Sequence, residues 1–266
     1  MTGENRFVFI APAFNASETI QRMLWSIAGQ TYQNWNVIVI DDMSTDNTSQ
    51  AVENFAYMTA SSNCFLPINH IDQFHLIKNV EKKWEVANVL QGLTLCRDDD
   101  IICRIDGDDW LTDLDALSFI DQAYKEHNLD ALWTAHRWAF SDKNISGPMS
   151  PGSDPYKHPW VSSHLKTFRK RLLNDVPYEN FLNQNGDMIR RAGDQCLYLP
   201  VLHNAKRYGF LPRVMYHYTI DEKGGFVYQT EDAKFQKEEA EYLRKRGYVE
   251  RGETWQEKIR QTLYGF

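Results

Sequence analysis

The chain has 266 residues, of which 42% are hydrophobic and 13% aromatic, a composition typical of a globular protein with a sizeable core. Its formal net charge of -7 argues against a protein whose main task is to coat nucleic acid, so we expect no nucleic-acid partner. No apolar run reaches the roughly 18 residues that a membrane span requires, and the first residues lack the basic-then-apolar order of a secretory signal, so we expect a cytoplasmic protein without a transmembrane segment.

In the first half of the chain, short apolar runs alternate with segments of helical spacing. We predict four strands, at Phe7–Ala11, Val37–Ile40, Phe74–Ile77 and Ile101–Cys103. Between them we predict three helices, one after Ser17, one from about Asn47 and one over Val86–Leu95. Strands that alternate with helices indicate a parallel, doubly wound α/β sheet, in which ligands bind beyond the carboxyl ends of the strands.

The second half of the chain is less regular. Residues 141–160 are rich in Ser, Gly, Pro and Asp and are typical of a long loop, for which a lid or an acceptor-binding role is the natural interpretation. Around this loop we predict a strand within Leu129–Phe140, helices at Ser163–Leu173 and Met188–Ala205, a strand at Arg213–Thr219, and helices at Phe235–Arg246 and Trp255–Leu263. Four cysteines without a CxxC pair favour buried reduced thiols over disulfides or a zinc site.

Three carboxylates crowd the end of the fourth predicted strand, in the run Arg104-Ile105-Asp106-Gly107-Asp108-Asp109-Trp110. Unpaired carboxylates at this spacing repel one another and raise each other's pKa. A hard divalent cation relieves that repulsion, and it takes one or two carboxylates while leaving positions for water and phosphate oxygens. The alternative is an acidic turn between strand and helix, in which one Asp caps the helix that follows Leu111.

Polar residues also follow the first two predicted strands. Pro12-Ala13-Phe14-Asn15 ends the first, and a run from Asp41 to Thr48 with paired acids ends the second. An aromatic ring beside a carboxylate can stack on a nucleobase while the carboxylate accepts the ring N–H. In the structural alternative Phe14 belongs to the core and Asp46 or Thr48 caps a helix, and we interpret Asp46 as such a cap.

Taken in order, these three motifs resemble the family-2 inverting glycosyltransferases of GT-A fold. The resemblance rests on Ala11–Asn15, Asp41–Asp46 and Asp106–Asp109, and it covers roughly the first 115 residues. The link Gln30–Trp35 between the first helix and the second strand also fits, and no glycine-rich phosphate motif competes with this interpretation.

The resemblance implies a GT-A (Rossmann-like), mostly parallel sheet flanked by helices. We expect a glycosyltransferase domain over 1–220, with a nucleotide-sugar-binding half at 1–115 and an acceptor-binding half at 116–220. Residues 221–266 would form a helical extension packed on the same domain. No break in composition argues for a second compact domain.

The resemblance also assigns candidate donor-binding residues, namely Pro12, Phe14, Asn15, Asp42, Lys83, Asp106 and Gly107. Phe14 would stack on the nucleobase and Asp42 would hold its polar edge, while Asp106 would contact the ribose or a metal-bound water. Asp108, together with Asp106, would ligate an Mn²⁺ or Mg²⁺ ion that bridges the diphosphate; Asp109 would assist.

Two parts of this assignment stay open at the level of sequence. The segment Lys83–Asn88 lies where the family often has an Ala-Arg-Asn run, so it is open which of Lys78, Lys82 and Lys83 reaches phosphate. His217 is a candidate further metal ligand because some GT-A enzymes use a histidine there, but a lone histidine between two tyrosines is more often structural.

An inverting transferase needs a carboxylate that takes the proton of the acceptor hydroxyl. In the family this base precedes an apolar helix, and Ala192–Pro200 fits that place with Asp194 as the base. The acidic neighbour that usually precedes the base is Gly193 in this chain. Asp187 is the rival base, and for either residue the structural alternative is a helix cap. The run His164–Arg169 also resembles a family segment, and its cations are either ligands of diphosphate or acceptor, or a solvated helix face.

These residues predict a metal-dependent hexosyltransferase that moves a sugar from a nucleotide-sugar, in this family most often a UDP-sugar, to the hydroxyl of a glycan or another acceptor by direct displacement. The competing hypothesis is a catalytically silent nucleotide-sugar or carbohydrate-binding module on the same fold. A sugar nucleotidyltransferase is a third hypothesis, but it would need a basic, glycine-rich loop after the first strand, and residues 12–18 contain none.

Overall fold

The computed structural model describes residues 4–60, 71–221 and 231–264. Its sheet has eight strands in the spatial order β3-β2-β1-β4-β7-β6-β8-β5. Their bounds are β1 Phe7–Ala13, β2 Trp35–Asp41, β3 Phe74–Lys78, β4 Ile101–Arg104, β5 Trp110–Leu111, β6 Ala131–Trp138, β7 Lys166–Arg169 and β8 Tyr208–Tyr218. Strands β1 to β4 are parallel to one another, β7 runs antiparallel between β4 and β6, β8 is parallel to β6, and β5 pairs antiparallel with β8.

Seven α-helices flank the sheet in the described residues, with bounds α1 Ile20–Ala28, α2 Thr48–Ala60, α3 Trp84–Leu93, α4 Ala116–His127, α5 Gly193–Asn204, α6 Glu231–Arg246 and α7 Trp255–Tyr264. Alternate side chains of β1 enter opposite cores: Phe7 and Phe9 pack with α1, α2 and α4, whereas Val8 and Ile10 pack with α3 and α5. Both faces of the sheet are therefore covered, which explains the continuous apolar runs in its parallel strands.

The mostly parallel sheet flanked by helices confirms the fold expected from the sequence. The four strands and three helices predicted for the first half are all present, and residues 141–160 contain no helix or strand. Helices α6 and α7 lie in the predicted extension, and α6 packs against α5. The division of the chain at residue 220 stays a prediction.

The helix predicted at Ser163–Leu173 is wrong. Lys166–Arg169 is a strand that bridges Ile101–Arg104 and Ala131–Trp133, and a short 3₁₀ turn at Lys170–Leu173 follows it. The edges of β4 and β6 both present main-chain groups that need partners, and inserting β7 satisfies both rows at once. The helix predicted from Met188 begins only at Gly193. Within the described ranges, no helix is both long and apolar enough to cross a membrane.

Candidate active site

A cleft of about 760 Å³ opens at the carboxyl ends of β1, β2 and β4. Most of the residues predicted to bind the donor or the metal line this cleft, namely Pro12, Phe14, Asn15, Asp42, Asp106, Gly107 and Asp108. They converge because the parallel strands that precede them end at the same edge of the sheet. Three distant motifs of the sequence thus become one surface.

Three predicted site residues lie outside the lining of this cleft, namely Lys83, Asp194 and His217. Lys82 lines the cleft in place of its neighbour Lys83. The ring of His217 stacks on Trp110 at 3.7 Å between centroids and receives a hydrogen bond from Arg137 Nε at 3.3 Å. Asp187, the rival base, is exposed in a turn held by Asn183 and also lies outside the lining.

Phe14 presents its ring to the cleft, because 48% of its surface is exposed. Lys82 Nζ lies 2.9 Å from the centroid of that ring. The following residue, Asn15, adopts the left-handed conformation with φ of 51°, which asparagine tolerates better than most residues. Its side-chain oxygen accepts the Thr45 N–H at 2.8 Å, and its own N–H donates to Ser44 Oγ at 2.9 Å. The two strand-end loops are therefore tied together behind the exposed ring.

Asp42 is buried and fixes the start of α3. Its carboxylate accepts the backbone N–H of Lys83 at 2.8 Å, that of Trp84 at 2.9 Å, and Asn79 Nδ2 at 3.0 Å. Burial raises the pKa of Asp42, but these hydrogen bonds outweigh burial and leave the pKa below its usual value. An ionised acceptor consequently forms part of the cleft wall.

Asp46 has the capping geometry expected from the sequence. One of its oxygens accepts the Thr48 N–H at 3.0 Å at the start of α2, and the other accepts the Ser17 N–H at 3.0 Å. Burial opposes ionisation, but the hydrogen bonds from Thr48 and Ser17 lower the pKa of Asp46 to about 2. This carboxylate links the two loops that carry Phe14 and Asp42.

The three acids of the 104–110 run have different surroundings. Asp106 and Asp108 line the cleft, and Asp106 is about one-third exposed. Asp109 is buried and accepts hydrogen bonds from Tyr216 Oη at 2.7 Å and from the N–H of Thr219 at 2.9 Å. Burial and the charges of Asp106 and Asp108 raise its pKa well above the usual value. Asp109 therefore anchors the end of β8, while its two neighbours face the cleft.

No group of three or more His, Cys, Asp or Glu side chains in the described ranges is arranged to hold a metal ion by itself. Asp106 and Asp108 supply two carboxylates to the cleft. This number suits Mg²⁺ or Mn²⁺, which commonly take one or two protein carboxylates and complete their shells with water and substrate phosphates. The residues present fit such an ion when a diphosphate provides the remaining oxygens.

An ion pair that the sequence analysis missed lies at the back of the cleft. Arg104, only 5% exposed, donates to Glu85 Oε1 at 2.6 Å and to Asp106 Oδ1 at 2.8 Å. Burial and the charges of Asp194 and Asp106 raise the pKa of Glu85 to about 7, although Arg104 opposes that rise. The Glu85 carboxylate lies directly against Gly193, where a Cβ would come within 2.8 Å of Oε1 and closer still to Oε2.

Asp194 lies in the first turn of α5 and is not the residue that caps this helix. Its carboxylate pairs with the buried Lys166 at 2.7 Å and lies 3.5 Å from His164 Nε2. Burial raises the pKa of Asp194, but Lys166, His164 and Arg104 together drive it well below its usual value. Burial and Lys166 lower the pKa of His164 to about 3, so this histidine is neutral at pH 7.

A cationic edge completes the cleft and was also missed from the sequence. Arg190 and Arg191 line the cleft and stand over the indole of Trp84, with their Cζ atoms 5.9 and 4.7 Å from the ring centroid. Lys82 Nζ lies 5.3 Å from the same ring. Nothing near Arg190 in the sequence marks this role, because the contact joins two segments about a hundred residues apart.

The chain matches the family model described as glycosyl transferase family 2 over residues 8–188. It is 31% identical over 96 residues to a putative glycosyltransferase, EpsE, of Bacillus subtilis, covering 36% of this chain and 30% of that one. It is 24% identical over 232 residues to the poly(ribitol-phosphate) beta-N-acetylglucosaminyltransferase TarS of Staphylococcus aureus, covering 82% of this chain and 36% of TarS. The chain thus spans about a third of the length of these relatives.

Solved structures share the fold. The S. aureus TarS structure in complex with UDP-GlcNAc matches with a TM-score of 0.60 at 20% identity, over 80% of this chain and 58% of that one. The Pyrobaculum calidifontis mannosyltransferase PcManGT, in complex with GDP-Man and Mn²⁺, matches with a TM-score of 0.57 at 18% identity, over 86% of this chain and 61% of that one. The match to the family model covers most of the sheet and the whole cleft wall from Pro12 to Asp108, and the chain belongs to glycosyl transferase family 2.

Proposed function

We propose that the chain is a metal-dependent, inverting glycosyltransferase that moves a sugar from a nucleotide-sugar to an acceptor hydroxyl. The observation that carries this proposal is one cleft that unites an exposed aromatic ring, a buried ionised acceptor and two accessible carboxylates at the ends of parallel strands. Family membership supports the reaction type. The structural relatives named above were solved with UDP-GlcNAc and with GDP-Man, which supports a nucleoside diphosphate sugar as donor.

In this proposal the nucleoside lies along the wall formed by β1 and β2. Phe14 stacks on the base, and Asp42, fixed and ionised by its hydrogen bonds to Lys83 and Trp84, accepts a base N–H. Asp106 contacts the ribose, and Asp108 with Asp106 holds Mn²⁺ or Mg²⁺. When bound, such an ion neutralises charge on the departing diphosphate as a Lewis acid.

The acceptor hydroxyl attacks the anomeric carbon on the face opposite the diphosphate, and the bond from that carbon to the diphosphate oxygen breaks. Asp194 takes the proton from the hydroxyl. Its strong ion pair with Lys166 keeps it ionised and ready to accept a proton, although a low pKa makes it a weak base in water. Exclusion of water from the reacting groups therefore matters here. The loop at 141–160, for which the sequence favours a lid or an acceptor-binding role, contributes no residue to the lining of this cleft.

The test is turnover of a panel of UDP- and GDP-sugars with and without Mn²⁺, with NMR of the product to read the anomeric configuration. We expect release of nucleoside diphosphate that requires the metal, and inversion at the anomeric carbon. Asp187→Asn, in an exposed turn outside the cleft, is the matched control and should leave turnover unchanged. Binding of donor without any transfer to glycan, lipid-linked or protein acceptors would favour a silent binding module instead. Retention of configuration would refute the displacement mechanism.

A further inference from the structure

The backbone just before α5 is held by a residue of α6. Glu239 is only 4% exposed, and its carboxylate accepts three consecutive backbone N–H groups, those of Arg190 at 3.1 Å, Arg191 at 2.7 Å and Ala192 at 3.1 Å. Amides at the start of a helix have no partner within the helix, so an acceptor from outside is needed. Here the acceptor comes from the C-terminal helices, which thereby fix the main chain of this segment.

The fixed main chain directs two arginines into the cleft. The guanidinium groups of Arg190 and Arg191 stand over Trp84, whose own backbone has a φ of 68° and donates its N–H to Asp42. A positive φ is uncommon for a bulky residue and requires support from its surroundings. Asp42 fixes the backbone of Trp84, and Glu239 fixes the backbone of the two arginines that stand over it. The arginines therefore line the same cleft as Phe14.

The charges of this edge are available to a ligand. Arg104 is already committed to Glu85 and Asp106. Arg191 pairs with Asp232 at 2.8 Å, but the two side chains are 36% and 67% exposed, and an ion pair this exposed is weak. Within the described part of the chain, Arg190 makes no ion pair. Guanidinium groups match phosphate oxygens in bidentate geometry, which makes an exposed arginine pair a good phosphate ligand.

We propose that Arg190 and Arg191 bind the diphosphate of the donor, and that Glu239 is the positioning residue that holds them at the cleft. This inference rests on the proposed function, since it needs a donor with a diphosphate, and it makes α6 a part of the donor site. It also predicts that Asp232 competes with the diphosphate for Arg191.

The experiment measures dissociation constants for UDP and for uridine by calorimetry in the presence of Mn²⁺, with GDP and guanosine as the second pair. Arg190→Ala and Arg191→Ala should each weaken diphosphate binding at least tenfold, about 1.4 kcal/mol, while nucleoside binding changes less than twofold. Arg251→Ala, at an exposed position outside the cleft, is the control for loss of a cation. Arg191→Lys should bind UDP with intermediate affinity, because it keeps the charge without the fork.

Two variants on α6 separate positioning from mere stability. Glu239→Gln should weaken UDP binding at least threefold with nucleoside binding unchanged, whereas Glu238→Gln, its exposed neighbour, should have no effect. Asp232→Asn should strengthen UDP binding about twofold, a direction that general damage to the fold cannot produce. The inference is overturned if both arginine variants bind UDP within twofold of the wild type, or if they lose nucleoside and diphosphate affinity equally. If the wild type binds neither UDP nor GDP with Mn²⁺, the proposed function falls as well.

Discussion

Replacing Gly193 with alanine places a methyl group where the carboxylate of Glu85 lies. The added carbon would come within 2.8 Å of Oε1 and closer to Oε2, whereas unbonded heavy atoms rest about 3.5–4.0 Å apart. The carboxylate ends a flexible side chain, so it can move away. In doing so it leaves Arg104 Nη2, which it now meets at 2.6 Å.

The expected cost follows from what remains around Arg104. The guanidinium still donates to Asp106 Oδ1 at 2.8 Å and to the Ile105 carbonyl at 2.7 Å, so its charge retains an ionic partner. The loss is therefore one charge-assisted hydrogen bond, about 1.5–3 kcal/mol, and not the 3–5 kcal/mol, roughly, of an orphaned buried ion. Alanine regains up to about 1 kcal/mol through helix propensity. We expect a net destabilisation of about 0.5–3 kcal/mol.

Urea unfolding of the wild type, Gly193→Ala, Glu85→Ala and the double variant measures this effect as a double-mutant cycle. In the Glu85→Ala background the second substitution should be neutral or slightly stabilising, because the obstructing carboxylate is gone. Gly147→Ala is the matched control, since its Cβ would meet only Val161 at 4.0 Å. If Gly193→Ala costs the same free energy in both backgrounds, Glu85 is not the group for which Gly193 makes room.

Four further outcomes are expected. Phe14→Ala should weaken nucleotide binding by about 1–3 kcal/mol, the usual value of one base stacked on an aromatic ring, and calorimetry with UDP or GDP measures it. Asp108→Ala should abolish transfer and remove the Mn²⁺-dependent part of nucleotide binding, which a titration with and without Mn²⁺ detects. Asp194→Asn should cut turnover heavily and leave the donor dissociation constant nearly unchanged; full turnover would disprove its role as base. Asp46→Ala should cost about 1 kcal/mol at pH 7. Because the folded-state pKa is lowered to about 2, that difference should hold above pH 4 and vanish as the pH falls toward 2 in urea unfolding.

The sequence was sufficient to predict the wall of the cleft that carries Phe14, Asp42 and Asp108. Each of these residues follows an apolar strand, and the rule that parallel strands share their carboxyl edge places them together without knowledge of side-chain contacts. It did not predict the antiparallel strand β7 at Lys166–Arg169. Apolar and polar residues do not alternate strongly in this segment. The strand forms because it pairs with the open edges of both β4 and β6, which only the assembled sheet reveals.

The cationic edge and the Arg104 ion pair depend on pairs of residues that no local sequence pattern connects. Glu239 and Arg191 are 48 residues apart, and Glu85 and Arg104 are 19 apart on different elements. The identity of the helix that supplies each carboxylate is set by packing, so spacing along the chain carries no information about it. This is why the sequence leaves open which lysine of the 78–83 segment reaches phosphate, whereas the cleft presents Lys82 together with two arginines that immediately precede α5.

One signal for the Arg104 ion pair was nevertheless present in the sequence. Arg104 continues the apolar run Ile101–Cys103, and a strand buried on both faces cannot hold an arginine unless carboxylates are buried beside it. Asp106, two residues along, satisfies part of that need. The second acid, Glu85, comes from α3, which packs against β1 and β2. Asp42 holds the start of α3, because its carboxylate accepts the N–H of Lys83, the N-cap residue, and that of Trp84, the first residue of the helix. The residue proposed to accept a base N–H is thus also the residue that holds the start of the helix from which Glu85 reaches Arg104.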